Sequence, residues 1–172
     1  FVVENKDRYR GDRWYIDELD KALRARGLAK PSRASYAEWP DWEERLGAYE
    51  WPLPADMHPD NFVGDLATWW LDYQPKTVPL FMSIGFPGPH PPYDPVESYV
   101  APYLAKDLPI LDFSPEELEA QPATYRSTRE KMLSYNPDAV RHIEYPSYEQ
   151  RQRQRAYYFA NITMIDEKIG QI

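Results

Sequence analysis

One of the three histidines in this chain stands where an imidazole could do chemistry. His90 lies in Gly85-Phe86-Pro87-Gly88-Pro89-His90-Pro91-Pro92-Tyr93-Asp94-Pro95, directly after the apolar run Pro79-Leu80-Phe81-Met82-Ser83-Ile84. Imidazole exchanges a proton near neutral pH, so a histidine held on a restricted loop can serve as a general acid or base. The surrounding prolines supply that restriction. Most lone histidines are satisfied by local hydrogen bonds, but the position at the end of an apolar run favours a functional role. Tyr93 and Asp94, on the same loop, read either as a turn or as groups that shape a pocket and orient His90. His58, in Met57-His58-Pro59-Asp60, and His142, in Val140-Arg141-His142-Ile143, lack the i, i+4 spacing and acidic partner of a helical zinc site. They read as surface or capping residues. Asp166, inside an isoleucine-rich helix, is expected to bond a neighbouring backbone group or cation rather than to ligate a metal. With no cysteine, disulfides and zinc–thiolate sites are excluded.

The elements that would position His90 follow from the apolar pattern. The run before it lacks alternation and is too short to span a membrane, so it reads as a strand buried on both faces, as in the middle of a parallel sheet. Ligands of open α/β sheets bind beyond the carboxyl ends of such strands. A helix opening at Asp60 precedes it, with Phe62, Leu66, Trp69 and Tyr73 as its stripe and Pro75 as its end. A helix leading into a buried strand is an α/β unit. Upstream, Asp12 can cap a helix over residues 12–26, with Tyr15, Leu19 and Leu23 buried and Gly27 as the stop. Residues 28–59 form an ordered excursion rich in Pro, Trp and Tyr, with a short helix at 42–47. Downstream, residues 97–103 and 125–133 read as helices, 108–113 as a loop, and Asn136-Pro137-Asp138 as a turn. Ser114-Pro115-Glu116-Glu117 is a helix start with a capping box. The last helix begins near Ser147 and carries Tyr158, Ile162, Ile165, Ile169 and Ile172 on one apolar face.

Two blocks resemble the sulfatases of the alkaline phosphatase superfamily. One is the strand ending in Gly-Phe-Pro-Gly-Pro-His-Pro-Pro-Tyr-Asp-Pro; the other is Tyr157-Tyr158-Phe159-Ala160-Asn161-Ile162-Thr163-Met164-Ile165-Asp166-Glu167-Lys168-Ile169-Gly170. They occur in the family's order. The resemblance implies an α/β, alkaline-phosphatase-like sandwich with a mostly parallel central sheet, only partly represented in this chain. It implies hydrolysis of a small-molecule or carbohydrate sulfate ester by a formylglycine nucleophile and a divalent metal, calcium before other ions. His90 matches the family histidine that contacts the ester and protonates the departing alcohol. The nucleophile and the metal ligands match nothing here, and no metal ligand is assigned in this chain. Ala29-Lys30-Pro31-Ser32-Arg33 copies the formylglycine motif except at the reactive position, and is read as a chance match.

The bulk properties bound the rest. The 172 residues carry a formal charge of −8, which disfavours nucleic acid and anionic membranes as partners. An anionic substrate would therefore need a local positive site. With 42% hydrophobic and 15% aromatic residues the chain can bury a core. It has no apolar run of about 18 residues and no visible targeting segment. A start at Phe1 and an apolar stripe reaching the last residue read as an internal piece, residues 1–172, of one catalytic domain truncated at both ends. Three rivals remain. One is a phosphodiester or phosphonate monoester hydrolase of the same superfamily. Another is a non-catalytic carbohydrate-binding module built on Trp39, Trp42, Tyr49 and Trp51. The third is a pseudoenzyme in which Ala29 replaces the nucleophile. The basic run Arg151, Arg153 and Arg155 offers anion binding or a solvated helix face.

Overall fold

The computed structural model describes residues 16–135 and 137–172. Its elements are helices: α1 (Glu18–Ala25), α2 (Arg33–Tyr36), α3 (Trp42–Arg45), α4 (Pro59–Tyr73), α5 (Ala101–Leu104), α6 (Pro115–Glu119), α7 (Ala123–Tyr135) and α8 (Tyr148–Gln171), with short 3-10 turns between some of them. Among the described residues there is no strand or sheet; Ala48 and Tyr93 form one isolated parallel bridge. This overturns the expected α/β sandwich. No helix among the described residues is long and apolar enough to cross a membrane.

Local signals act where expected. At the end of α1, Gly27 takes φ +71°, its N–H donates to the Arg24 carbonyl and the Leu28 N–H to the Leu23 carbonyl. That is the paired bonding of a Schellman stop. The cap at the other end is Asp17, whose carboxylate accepts from the Asp20 N–H at 2.7 Å; Asp12 and Tyr15 lie outside the described residues. Ser114 and Ser147 each complete a capping box, with Glu117 and Gln150.

Helix α8 is the spine of the fold and packs against α4 and α5. Its buried side is Ala156, Tyr157, Ala160, Asn161 and Met164. Most of the expected apolar stripe faces outward instead: Tyr158, Ile162, Ile169 and Ile172 are exposed, and Ile165 is half-buried. Helix α4 departs in part: of its expected stripe, Phe62 packs against buried Leu19, Leu23 and Met57, and Leu66 is half-buried. It buries Asp60, Asn61, Gly64 and Ala67, while Trp69 and Tyr73 are exposed. Small residues set both faces, because they let the two backbones approach. A Cβ on Gly64 would stand 2.8 Å from Lys168 Cβ.

The run expected to be a doubly buried strand is an extended segment laid along α4. Met82, Ile84 and Phe86 are half-buried, whereas Phe81 is 94% exposed. With Val63, Leu66 and Trp70, residues 80–85 line a cavity of about 590 Å³. The segment forms no ladder because no second strand exists among the described residues to take its backbone bonds.

The excursion is packed from within. Tyr36 stacks on Tyr49 at 4.6 Å, and Trp39 meets Tyr49 edge-on at 5.6 Å. Tyr49 and Trp51 are buried. Lys30, at the pseudo-motif, is ion-paired with Asp17 at 2.5 Å, both side chains being almost fully buried. Ser32 and Ser35 bond each other around the start of α2. The resemblance to a nucleophile motif there accompanies a structural turn.

Candidate functional site

The His90 loop is built on the turn that precedes α4. Pro59 at the first helical position has no N–H to leave unsatisfied, and His58 provides the cap. The Asp60 N–H donates to His58 Nδ1 at 3.2 Å. A backbone N–H only donates, so Nδ1 is the acceptor and the ring proton sits on Nε2. From Nε2, His58 donates to the Asp94 carbonyl oxygen at 3.2 Å. The Gly88 N–H donates to Asp60 Oδ1 at 2.8 Å. One turn, His58-Pro59-Asp60, thus holds both ends of the loop over residues 88–94. All three of its residues are buried.

Further ties come from the excursion. The Tyr93 N–H donates to the Gly47 carbonyl at 2.8 Å, the Tyr49 N–H to the Tyr93 carbonyl at 2.9 Å, and the Trp51 N–H to the Pro95 carbonyl at 3.0 Å. Tyr36 donates its hydroxyl to Asp94 Oδ2 at 2.6 Å. The residue presenting its carbonyl to Tyr93 must be glycine: Gly47 has φ +95°, and a Cβ there would lie 2.6 Å from Val140 Cγ2.

His90 itself is exposed. The peptide bonds Gly88–Pro89 and Pro91–Pro92, on either side of it, are cis. Its Nδ1 lies 2.7 Å from the Pro91 carbonyl oxygen. A carbonyl only accepts, so Nδ1 carries a proton and Nε2 is the nitrogen left for a substrate. This arrangement can exchange one proton through Nε2 with a group approaching from solvent.

The other expected residues divide. Asp94 is fully buried and anchors the loop through Tyr36 and His58. Tyr93 is half-buried and meets Tyr158 edge-on at 5.8 Å. Asp166 is exposed and forms no ion pair among the described residues, contrary to the expected structural bond. His142 is half-buried, and burial, opposed by the nearby Asp138, holds its imidazole below the ordinary histidine range. Sequence reasoning read His58 as a surface or capping residue; it is fully buried and caps α4, and its link to the His90 loop was not foreseen, because a histidine and an aspartate flanking a helix-initiating proline are a generic signal. The same reasoning read Asp60 as the opening of the helix, whereas His58 is the cap and Asp60 bonds Gly88, its Oδ2 buried with no hydrogen-bond partner. Among the described residues, no three His, Asp or Glu side chains converge as a metal site. These residues therefore do not fit the divalent ion implied by the resemblance, and no step is derived through it.

No known family model matches the chain. Over 130 residues, 76% of its length, it is 28% identical to an arylsulfatase of Clostridium perfringens; the match spans 24% of that protein. The likeness supports a sulfatase-like relationship at a distance.

Proposed function

We propose that this chain is part of a sulfatase-like hydrolase and supplies the acid that protonates the departing alcohol. The observation that carries the reading is His90: exposed, with Nδ1 bonded to Pro91, on a loop tied at both ends. The arylsulfatase likeness supports the choice of ester. When the S–O bond of a sulfate ester breaks, its electron pair goes to the alcohol oxygen. In this reading the protonated imidazole gives that oxygen its Nε2 proton, and the anchored loop keeps the ring in place. The formylglycine and divalent cation implied by the resemblance would be supplied by residues outside this segment. They would provide the attacking oxygen and hold the sulfate charge.

The test is His90→Gln in the complete hydrolase, assayed on paired esters. Loss of a general acid costs about 100-fold or more where the leaving alkoxide is strongly basic. Alkyl sulfates should therefore suffer far more than nitrophenyl sulfates, whose phenolate departs without help. An equal loss on both would remove the proton-donor role. The same assay with matched phosphate diesters separates the sulfatase reading from its phosphoesterase rival.

A further inference from the structure

Three residues beyond His90, Tyr93 lines a cavity of about 380 Å³. This is within the ordinary size of a small-molecule site. Its opposite wall is one side of α8, with Arg151, Gln154, Arg155 and Tyr158, and the loop residues Ile110 and Leu111 complete it. The charge in this cavity is unbalanced. Arg151 donates to Asp112 Oδ1 at 3.1 Å and to the Leu111 carbonyl at 3.3 Å, but its Nε is buried with no acceptor. Arg155 lies over the Phe159 ring at 5.7 Å and has no carboxylate partner among the described residues. Two guanidiniums thus face one carboxylate, and Asp112 is 90% exposed, where water screens it.

A net positive wall is unexpected on a chain of charge −8, and it is what an anionic ligand would need. The ring component is also present. Tyr158 meets Tyr93 edge-on and remains 37% exposed, leaving ring surface on which a flat ligand can stack. Three residues of chain reach at most about 11 Å, so a ligand in the cavity lies within small-molecule distance of His90.

We propose that this cavity binds a ring-bearing organic anion, with its carboxylate or sulfate on Arg155 and Arg151 and its ring against Tyr158. Resting on the reading of His90 as the leaving-group acid, the ligand is the alcohol portion of the ester: a sugar or aryl alcohol carrying an anionic group of its own.

The test uses binding by this chain, which requires no turnover. Para-hydroxybenzenesulfonate probes the aryl source and glucuronate the sugar source, with inorganic sulfate and phenol as fragments. Shifts in the tyrosine ring proton resonances are the readout. At least one ring anion should bind saturably and more tightly than either fragment. Arg155→Gln should weaken it about tenfold, the value of one charge-assisted hydrogen bond. Asp112→Asn should tighten it about threefold by removing the competing carboxylate, a gain that misfolding cannot mimic. No saturable binding, binding no tighter than inorganic sulfate, or affinities indifferent to both substitutions would overturn the proposal. Binding of the alcohol portion involves no proton transfer from His90. Failure of the acid role therefore shows in the leaving-group assay alone, and failure of the cavity in the binding assay alone.

Discussion

Replacing Gly88 with alanine tests whether the His90 loop is held by Asp60. Gly88 does not have a left-handed φ, so its backbone accepts alanine. The obstacle is a side chain. A Cβ at this position would stand 2.3 Å from Asp60 Oδ2, 3.1 Å from Asp60 Cγ and 3.0 Å from Ile165 Cδ1. The isoleucine methyl can rotate away. Asp60 cannot: it is fully buried, and its other oxygen accepts from the Gly88 N–H. Overpacking of this kind costs about 1–3 kcal/mol, and loss of a hydrogen bond to a charged group about 1.5–3 kcal/mol. Gly88→Ala should therefore destabilise by about 3 kcal/mol. Asp60→Ala removes the same bond and should cost about 2 kcal/mol, relieved in part because it also removes the orphaned Oδ2. In that background the added methyl meets only the rotatable Ile165 side chain, and Gly88→Ala should cost less than about 1 kcal/mol. Urea unfolding of the four proteins gives the coupling directly, expected at about 2 kcal/mol. Additive effects, within about 0.5 kcal/mol, would mean that the loop is not held through Asp60.

Three other outcomes follow from buried charge and burial. Lys30→Ala should lower stability by about 3 kcal/mol, because it leaves the Asp17 carboxylate buried without its cation; Asp17→Asn in the same chain should restore part of the loss in urea midpoint. For Glu50, burial would raise the carboxyl, but hydrogen bonds from Tyr157 and Arg45 outweigh it and hold it below the usual glutamate range. Its contribution is present above the ordinary value of about 4.3 and lost as pH falls through the lower folded value, so Glu50→Gln should flatten the acid limb of the stability curve. Tyr157 is pushed up to about 12 by burial and then by its bond to Glu50. The stability from its protonated form is complete below the ordinary value of about 10 and lost as pH rises toward the folded value. Phenolate absorbance should show the Tyr157 step shifted downward in Tyr157-retaining Glu50→Gln protein, and an unchanged step would count against the bond.

What was legible in the sequence was local. Gly27, Ser114 and Ser147 end or begin helices through bonds spanning a few residues, and such bonds need no knowledge of the rest of the chain. The buried faces of α4 and α8 were not legible, because the pattern sought was one of large apolar residues. Close helix packing selected Gly64, Ala67, Ala156 and Ala160 instead, which carry little hydrophobic signal. The large residues, Trp69 and Tyr73 on one helix and Ile162 and Ile169 on the other, were left outside. The same substitution of pattern for context made a buried strand of residues 78–84. Their composition is that of a strand, but a strand also requires partners, and composition does not supply them. His90 was singled out because its neighbours are unusual, and His58 was understood only halfway because the bond that matters reaches Asp94, 36 residues away.

The prolines explain how the His90 loop can be fixed without a sheet. Every buried backbone N–H needs an acceptor, and a strand meets that need with a ladder. Residues 86–95 contain prolines at 87, 89, 91, 92 and 95, which have no N–H to satisfy. The donors at 88, 90 and 93 are each taken, by Asp60, Pro87 and Gly47 respectively. The carbonyls of Tyr93, Asp94 and Pro95 accept from Tyr49, His58 and Trp51. Fixed φ values also reduce the freedom the loop would otherwise lose on ordering. The anchoring to the rest of the fold therefore falls on Gly88, Tyr93 and Asp94, while His90 bonds within the loop, to Pro87 and Pro91. His90 can stay exposed and still be held in place, which a proton donor to an incoming ester would require.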